Sequence, residues 1–206
     1  MSAEKKSNEC VTPEFRVSFP AVFAPKQVGG QGDFKFSISM LFPKTTDLSE
    51  IKALIKAAVI EKWGPDQAKW PTKIVDGKKV SAIRMPLRDG SEKSYEGYDD
   101  TIVFGTASSK QRPGLVGPDA KTPIIDANDF AGGDYARAKI SVYAYDKAGN
   151  KGVSFGLRHV QKIKDGVRFS GAGKAEDAFD AISVPKGSAE ETMMKSGVGD
   201  PLGLGA

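Results

Sequence analysis

YARAKISVYAYDKAGNKG, residues 135–152, alternates strictly until it reaches Asp146. Ala136, Ala138, Ile140, Val142 and Ala144 fall on one side, and Tyr135, Arg137, Lys139, Ser141, Tyr143 and Tyr145 on the other. A period of two over this length predicts a strand buried on one side only. DKAGN then has the composition of a hairpin turn. The partner strand runs through GVSFGLRHVQKIKDG, where Val153, Phe155 and Leu157 alternate. Val160 and Ile163 break that phase, which predicts a bulge at Gly156 or at Arg158-His159.

Two earlier segments carry the same signal. Phe15, Val17, Phe19, Ala21 and Phe23 alternate with Arg16, Ser18, Pro20 and Val22; Phe34, Phe36, Ile38, Met40 and Phe42 alternate with Lys35, Ser37, Ser39 and Leu41. These phenylalanines share a face with aliphatics and are expected in the core, joined by a KQVGGQGD loop. One helix follows. Asp47 and Glu50 form a capping-box signal, and Leu48, Ile51, Leu54, Ile55, Ala58 and Val59 recur at helical spacing before Gly64-Pro65 stops them. Residues 65–100 are turn-rich and charged, a long insertion of the sort that often carries function. TIVFGTA, 101–107, reads as a further strand and 108–123 as a loop. No alternation of strands with helices appears, so a doubly wound sheet is excluded and a small antiparallel barrel or sandwich is expected.

The chain has 206 residues, 39% hydrophobic and 27% charged, which fits one soluble globular domain. Residues 1–12 read as a flexible arm, 13–183 as the domain and 184–206 as a flexible tail. With no leader and no apolar run long enough for a membrane span, the expected location is the cytoplasm of the host cell. The lone Cys10 rules out an intramolecular disulfide, and with the lone His159 it leaves no zinc constellation. Neither a metal nor a cofactor is expected.

Charge is uneven. The net charge is +4, yet residues 135–168 alone carry +6, while the stretch from Lys174 onward carries −3. Such asymmetry suggests a basic binding face with an acidic tail that competes for it or recruits a partner; lysines that merely solvate a β-rich surface would look the same. The tyrosines favour the first reading. Rings held on a sheet surface stack with bases, at roughly 1–3 kcal/mol each and without regard to sequence. Tyr135, Tyr143 and Tyr145 would take bases, and Arg137 and Lys139 phosphates. Lys110 and Arg112, in a loop backed by Pro113-Gly114, would clamp the backbone. Lys151 and Arg158 extend the same basic surface. The alternative packs the tyrosines beneath the 65–100 insertion.

Taken in order, FPKTTDLSEIKALIKAA, MPLRDG, ASSKQRPGLV, YARAKISVYAYDKAGNKGVSFGLRHVQKI and AEDAF resemble a bacteriophage family of single-stranded-DNA-binding proteins with an oligonucleotide-binding (OB) fold. The resemblance covers roughly Phe15 to Phe179. It implies a mainly β protein with one clear α-helix, an OB-like antiparallel Greek-key barrel with a long insertion. It also implies a sequence-independent binder that coats single strands during replication or recombination, alongside phage proteins of those processes. His159 departs from the amide-rich form of its motif, and the tail ends PLGLGA without a terminal aromatic. An OB barrel commonly carries its helix between strands three and four, whereas here the helix follows two visible strands. Either the barrel varies or a strand is hidden. Two rivals stand beside this reading. A β-rich virion structural or assembly protein is one. The other is a nuclease using Asp99, Asp100, Asp126, Asp129 and Asp134, although aspartates beside Gly and Pro are ordinary turn residues. No catalytic residue is assigned.

Overall fold

The apolar side of the opening strand is the heart of the core: Ala136, Ala138, Ile140 and Val142 are at most 1% exposed. The structure is a computed structural model that describes residues 8–28, 31–147 and 149–169. Its strands are β1 (Glu9–Val11), β2 (Phe15–Val28), β3 (Gln31–Pro43), β4 (Thr72–Val75), β5 (Lys78–Ser81) and β6 (Leu87–Asp89). They continue with β7 (Ile102–Ser109), β8 (Gly114–Val116), β9 (Tyr135–Lys147) and β10 (Asn150–Lys164), and α1 (Ser49–Trp63) lies between β3 and β4.

Five strands close a barrel in the order β2-β3-β7-β10-β9 and back to β2. Every neighbouring pair is antiparallel except β7 and β10, which run parallel through Phe155↔Ala107 and Gly156↔Ser108. That is the OB topology, with β2, β3, β7, β9 and β10 as its five strands in chain order. Among the described residues no further barrel strand is present. The barrel varies instead, because α1 and residues 64–101 are inserted between its second and third strands.

Inside, Phe15, Val17, Ile38, Met40, Phe42, Ile140, Val142 and Phe155 are 0–1% exposed, and Phe15 meets Phe42 edge to face at 5.6 Å. Each such side chain contributes about 1.5–3 kcal/mol by leaving water. The helix buries Ile51, Ala58 and Val59 against the barrel, chiefly on β9. The expected capping box does not form, since Leu48 is the N-cap and no side chain caps it; Asp47 accepts the Ser49 amide at 2.9 Å, and Gly64 ends the helix at φ 85°. The bulge expected in β10 falls at Arg158, between the paired Leu157 and His159.

Several expectations are corrected. Phe19 and Phe34 are 57% and 62% exposed and do not join the core. Between Ser18 and Ala21 β2 carries one residue more than β3, and Phe19 sits there at φ 45°. Pro20 cannot donate to the ladder, so the strand bulges and the phenylalanine turns outward. Most of the anticipated loop 26–33 is strand, since β2 continues to Val28 and β3 starts at Gln31. Residues 108–123 contain β8, and Glu9–Val11, expected in a loose arm, pair with β9 as β1. The segments AEDAFDAI and 184–206 lie outside the described residues.

The turn that feeds β9 depends on one carboxylate. Asp134 is 4% exposed, accepts the amides of Ala131 and Gly166 at 3.0 and 3.2 Å, and pairs with Lys162 at 3.1 Å. Its replacement by alanine leaves two amides and a largely buried ammonium short of a partner, although Lys162 keeps Asp165. Asp134→Ala should therefore destabilise the protein by about 3 kcal/mol, read from the urea midpoint at constant m-value.

Candidate nucleic-acid interface

The outer side of β3 and β7 is unusually smooth. Ser39 faces Thr106 and Ser37 faces Ser108 across the ladder, with Gly156 of β10 paired to Ser108 on the far edge. The Ser39 and Thr106 hydroxyls are hydrogen-bonded at 3.0 Å. A Cβ on Gly156 would lie 2.5 Å from the Ser141 hydroxyl, so this part of the floor can only be bare. Small hydroxyl side chains let a flat or extended ligand lie against the sheet while still offering hydrogen bonds.

An aromatic wall stands at one end of that floor. Leu41 and Phe104, paired across β3 and β7, form a second small core with Tyr98. Phe104 contacts Tyr98 at 5.2 Å, Tyr98 contacts Tyr95 at 5.8 Å, and Phe19 contacts Tyr95 at 5.0 Å. The inner rings are buried, but Phe19 and Tyr95 are more than half exposed. Arg88 lies over Phe104 with its guanidinium 4.7 Å from the ring centre. Two of these aromatics come from the 65–101 insertion, which thereby builds one side of the site. The left-handed φ of Phe19 costs a non-glycine residue on the order of 1 kcal/mol. The bulge holds the ring where the wall needs it.

Tyr145 supplies the opposite side. A cleft of about 640 Å³ is lined by Arg84, Arg88, Phe104, Thr106, Tyr145 and Ser154, among others. The Tyr145 ring can cross β10 because residue 152 is glycine, where a Cβ would sit 2.7 Å from the tyrosine hydroxyl. The backbone of Arg84 closes the cleft by pairing with β10, Arg84 donating to Lys151 and Val153 donating back at 3.0 and 2.9 Å. At the other end of the floor, exposed Phe34 and Lys35 stand near the tip of the β2–β3 hairpin, and Lys110 is tied to Asp33 at 2.7 Å. That hydrogen bond holds the Asp33 carboxyl below its usual range and raises Lys110. Below the wall, the Lys44 ammonium and then the Ser91 hydroxyl and amide pull Asp89 down to about 2, fixing the end of β6, the strand that carries Arg88.

The expected residues do not form one row. Tyr135 stands eight residues from Tyr143, about 27 Å along an extended strand. It is half-buried at the far end, with the Lys164 ammonium 4.5 Å above its ring. Arg137 donates to Gln161 at 2.7 Å. Lys139 and Arg158 share the Glu9 carboxylate of β1, at 3.3 and 3.4 Å. Lys151 pairs with Asp146, whose carboxyl is held low by it. Arg112 lies over Phe23 at 5.9 Å. Tyr143 is 45% exposed, and Tyr145 is the member that lines the cleft. Sequence reasoning did not bring Phe19, Arg88, Tyr95, Tyr98 and Phe104 together on this face. Pro20, placed inside an alternating strand, was the available signal for Phe19.

Three of the five aspartates considered for catalysis have structural roles. Asp126 accepts the Asn128 amide at 2.8 Å, Asp99 accepts Thr101 at 2.7 Å, and Asp134 holds its turn. Among the described residues no group of three His, Cys, Asp or Glu is placed to hold a metal ion.

Known proteins share this architecture. The single-stranded DNA-binding protein from bacteriophage Enc34, solved in complex with single-stranded DNA, superposes with a TM-score of 0.62 at 20% identity, over 80% of this chain and 91% of that one. The single-stranded DNA-binding protein gp2.5 of bacteriophage T7 gives 0.52 at 14% identity, over 84% and 99%. At those identities the likeness is one of fold. Sequence goes further. Protein p50 of Acyrthosiphon pisum secondary endosymbiont phage 1 is 40% identical over 186 residues, spanning 88% of this chain and 96% of its own. Residues 8–193 match the family described as the ssDNA-binding protein of Enterobacter phage Enc34. With both the sequence match and the barrel in agreement, the chain belongs to the Enc34 family of phage single-stranded-DNA-binding proteins.

Proposed function

We propose that this protein binds single-stranded DNA without sequence preference and coats exposed strands in the host cytoplasm during phage replication or recombination. The observation that carries this reading is the hydroxyl-lined floor of β3 and β7 between an aromatic wall and Tyr145. Bases stack on Phe19, Tyr95 and Tyr145, and the strand backbone runs over the floor beside Arg84 and Arg88. An OB barrel presents the same face, between its second and third strands, to oligonucleotides. Stacking with few base-edge contacts gives affinity without a code. The role is one of binding and protection, with no chemistry performed on the strand. Residues 13–183 would form the binding domain, and the acidic tail would serve replication or recombination partners. A virion role has no comparable observation behind it.

Phe19 offers a clean test, because its backbone is strained and its ring is exposed. Phe19→Gly removes the ring and also relieves the left-handed backbone, so the melting temperature should hold or rise. Affinity for an oligothymidylate should fall by about 1–3 kcal/mol. Tyr95→Ala should lose a similar amount and Tyr95→Phe very little, measured by fluorescence anisotropy. Unchanged affinity in both Phe19→Gly and Tyr95→Ala would refute the stacking face.

Arg88 and Arg84 are expected to act through charge. Arg84→Gln should flatten the dependence of log affinity on log salt by about 0.7 if one phosphate contact is lost, and Arg88→Gln by less, because Arg88 already pairs with Glu92 at 3.6 Å. Tyr135→Ala, at the far end of the barrel, should change the slope and the affinity little.

A further inference from the structure

Among the described residues, the β4–β5 hairpin is the one substantial element that the barrel does not use. All eight strand residues, Thr72–Val75 and Lys78–Ser81, are exposed, including Ile74 at 68%, Val75 at 43% and Val80 at 38%. Its turn is well made. Asp76 and Gly77 both take positive φ, 48° and 72°, the two-residue turn that matches the twist of a hairpin. Four residues a strand at about 3.3 Å each give an arm of roughly 13 Å. An isolated two-stranded hairpin is marginal in water, and this one buries none of its side chains in the barrel. Packing therefore does not explain its sequence.

Charge and position do. The register pairs Lys73 with Val80, Ile74 with Lys79 and Val75 with Lys78, so both faces carry lysine beside an aliphatic side chain. Three ammonium groups stand against the single carboxylate of Asp76 within 72–81. A second copy of the chain, pairing edge to edge, would bring lysines against lysines, which is repulsive. A polyanion fits. The arm also starts at the cleft. Ala82 donates to Pro71 at 2.9 Å to close its base, and two residues later the backbone of Arg84 joins β10 beside Lys151–Val153 and lines the cleft.

We infer that the β4–β5 hairpin is an arm that grips the phosphates of the DNA strand after it leaves the cleft over Tyr145 and Arg84, lengthening the binding site. The inference rests on the proposed single-strand binding and specifies where the strand continues. Lys73, Lys78 and Lys79 take phosphates, and Ile74, Val75 and Val80 lie against sugars and base faces. A strand too short to pass the cleft never reaches the arm.

The test compares oligothymidylates of about 8 and about 30 nucleotides, bracketing a single OB-fold footprint. In the full-length protein, Lys73→Ala, Lys78→Ala and Lys79→Ala are combined. A second variant replaces residues 72–81 by two glycines, which the Pro71–Ala82 hydrogen bond makes possible. On the long oligonucleotide both variants should bind more weakly, and the salt slope should flatten by about 1.4–2, two to three phosphates at about 0.7 each. On the short one both should match the unaltered protein. If the variants bind the long oligonucleotide as tightly as the unaltered protein does, the arm has some other partner and the inference fails. An equal loss on both lengths also overturns it, because the lysines would then act within the cleft. Failure of the underlying reading looks different: the unaltered protein would retain neither oligonucleotide.

Discussion

The barrel closes because β10 has more than one neighbour. It runs antiparallel to β9 along nearly its whole length, and it must also reach β7 with its first half and β8 with its second. A flat strand could not do both. The register shift at Arg158, between those two pairings, bends the strand, and a second shift follows between Lys162 and Lys164. Glycines remove the obstacles at close approach. A Cβ on Gly105 would lie 2.9 Å from the Phe155 ring, and one on Gly156 would strike Ser141. The bare outer surface that closure requires at Gly156 is the surface on which a ligand can lie. Architecture and site thus share one constraint.

A second bulge does the corresponding work on β2. Without the extra residue at Phe19, strict alternation would direct that ring inward alongside Val17, which is already fully buried. The core has no room for it, and the wall of Tyr95, Tyr98 and Phe104 would lose its outermost member. The insertion is committed to the same end. Asp89 binds Lys44 and caps the turn at Gly90–Glu92, while Asp99 holds Thr101, so the segment carrying Tyr95 and Tyr98 is fastened at both ends. A Cβ on Gly90 would lie 2.3 Å from the Asp99 carbonyl, which shows how closely those ends are drawn together.

Much of this was legible in the sequence, for a simple reason. Period two in residues 135–145 reports one buried face, and a long strand followed by a short turn has few partners besides the next strand. The helix was legible through Asp47 and Gly64, and the aspartates through their turn contexts. The site was not. Periodicity says which side of β9 is outside, but it does not say which part of a barrel's outside is the cleft. Tyr135, Tyr143 and Tyr145 share a side of the strand, yet only Tyr145 lines the cleft, because a strand of 13 residues passes from one end of a barrel to the other. Phe19 was misassigned because alternation was carried straight through Pro20. Tyr95 and Tyr98 lie in a segment without periodicity, where only tertiary contacts decide what faces the floor. The Asp76-Gly77 pair was a readable hairpin signal inside that same segment.

The basic residues carry a further lesson about charge. Lys110, Lys139, Lys151 and Arg158 looked like free cations in the sequence, yet each has a carboxylate within 3.4 Å. A phosphate that engages one of them must displace or share Asp33, Glu9 or Asp146. The released carboxylate then collects a counterion, which offsets the counterion freed from the DNA. Salt dependence is therefore expected to follow the cations with no such partner among the described residues, such as Arg84 and the lysines of the hairpin, more than the total of basic residues. Glu9 matters most in this respect, since its carboxylate is only 16% exposed and serves two cations at once. By pairing with β9, β1 holds Glu9 there and keeps Lys139 and Arg158 occupied on that flank. Under the proposed function the strand runs instead over the floor of β3 and β7, past Arg84.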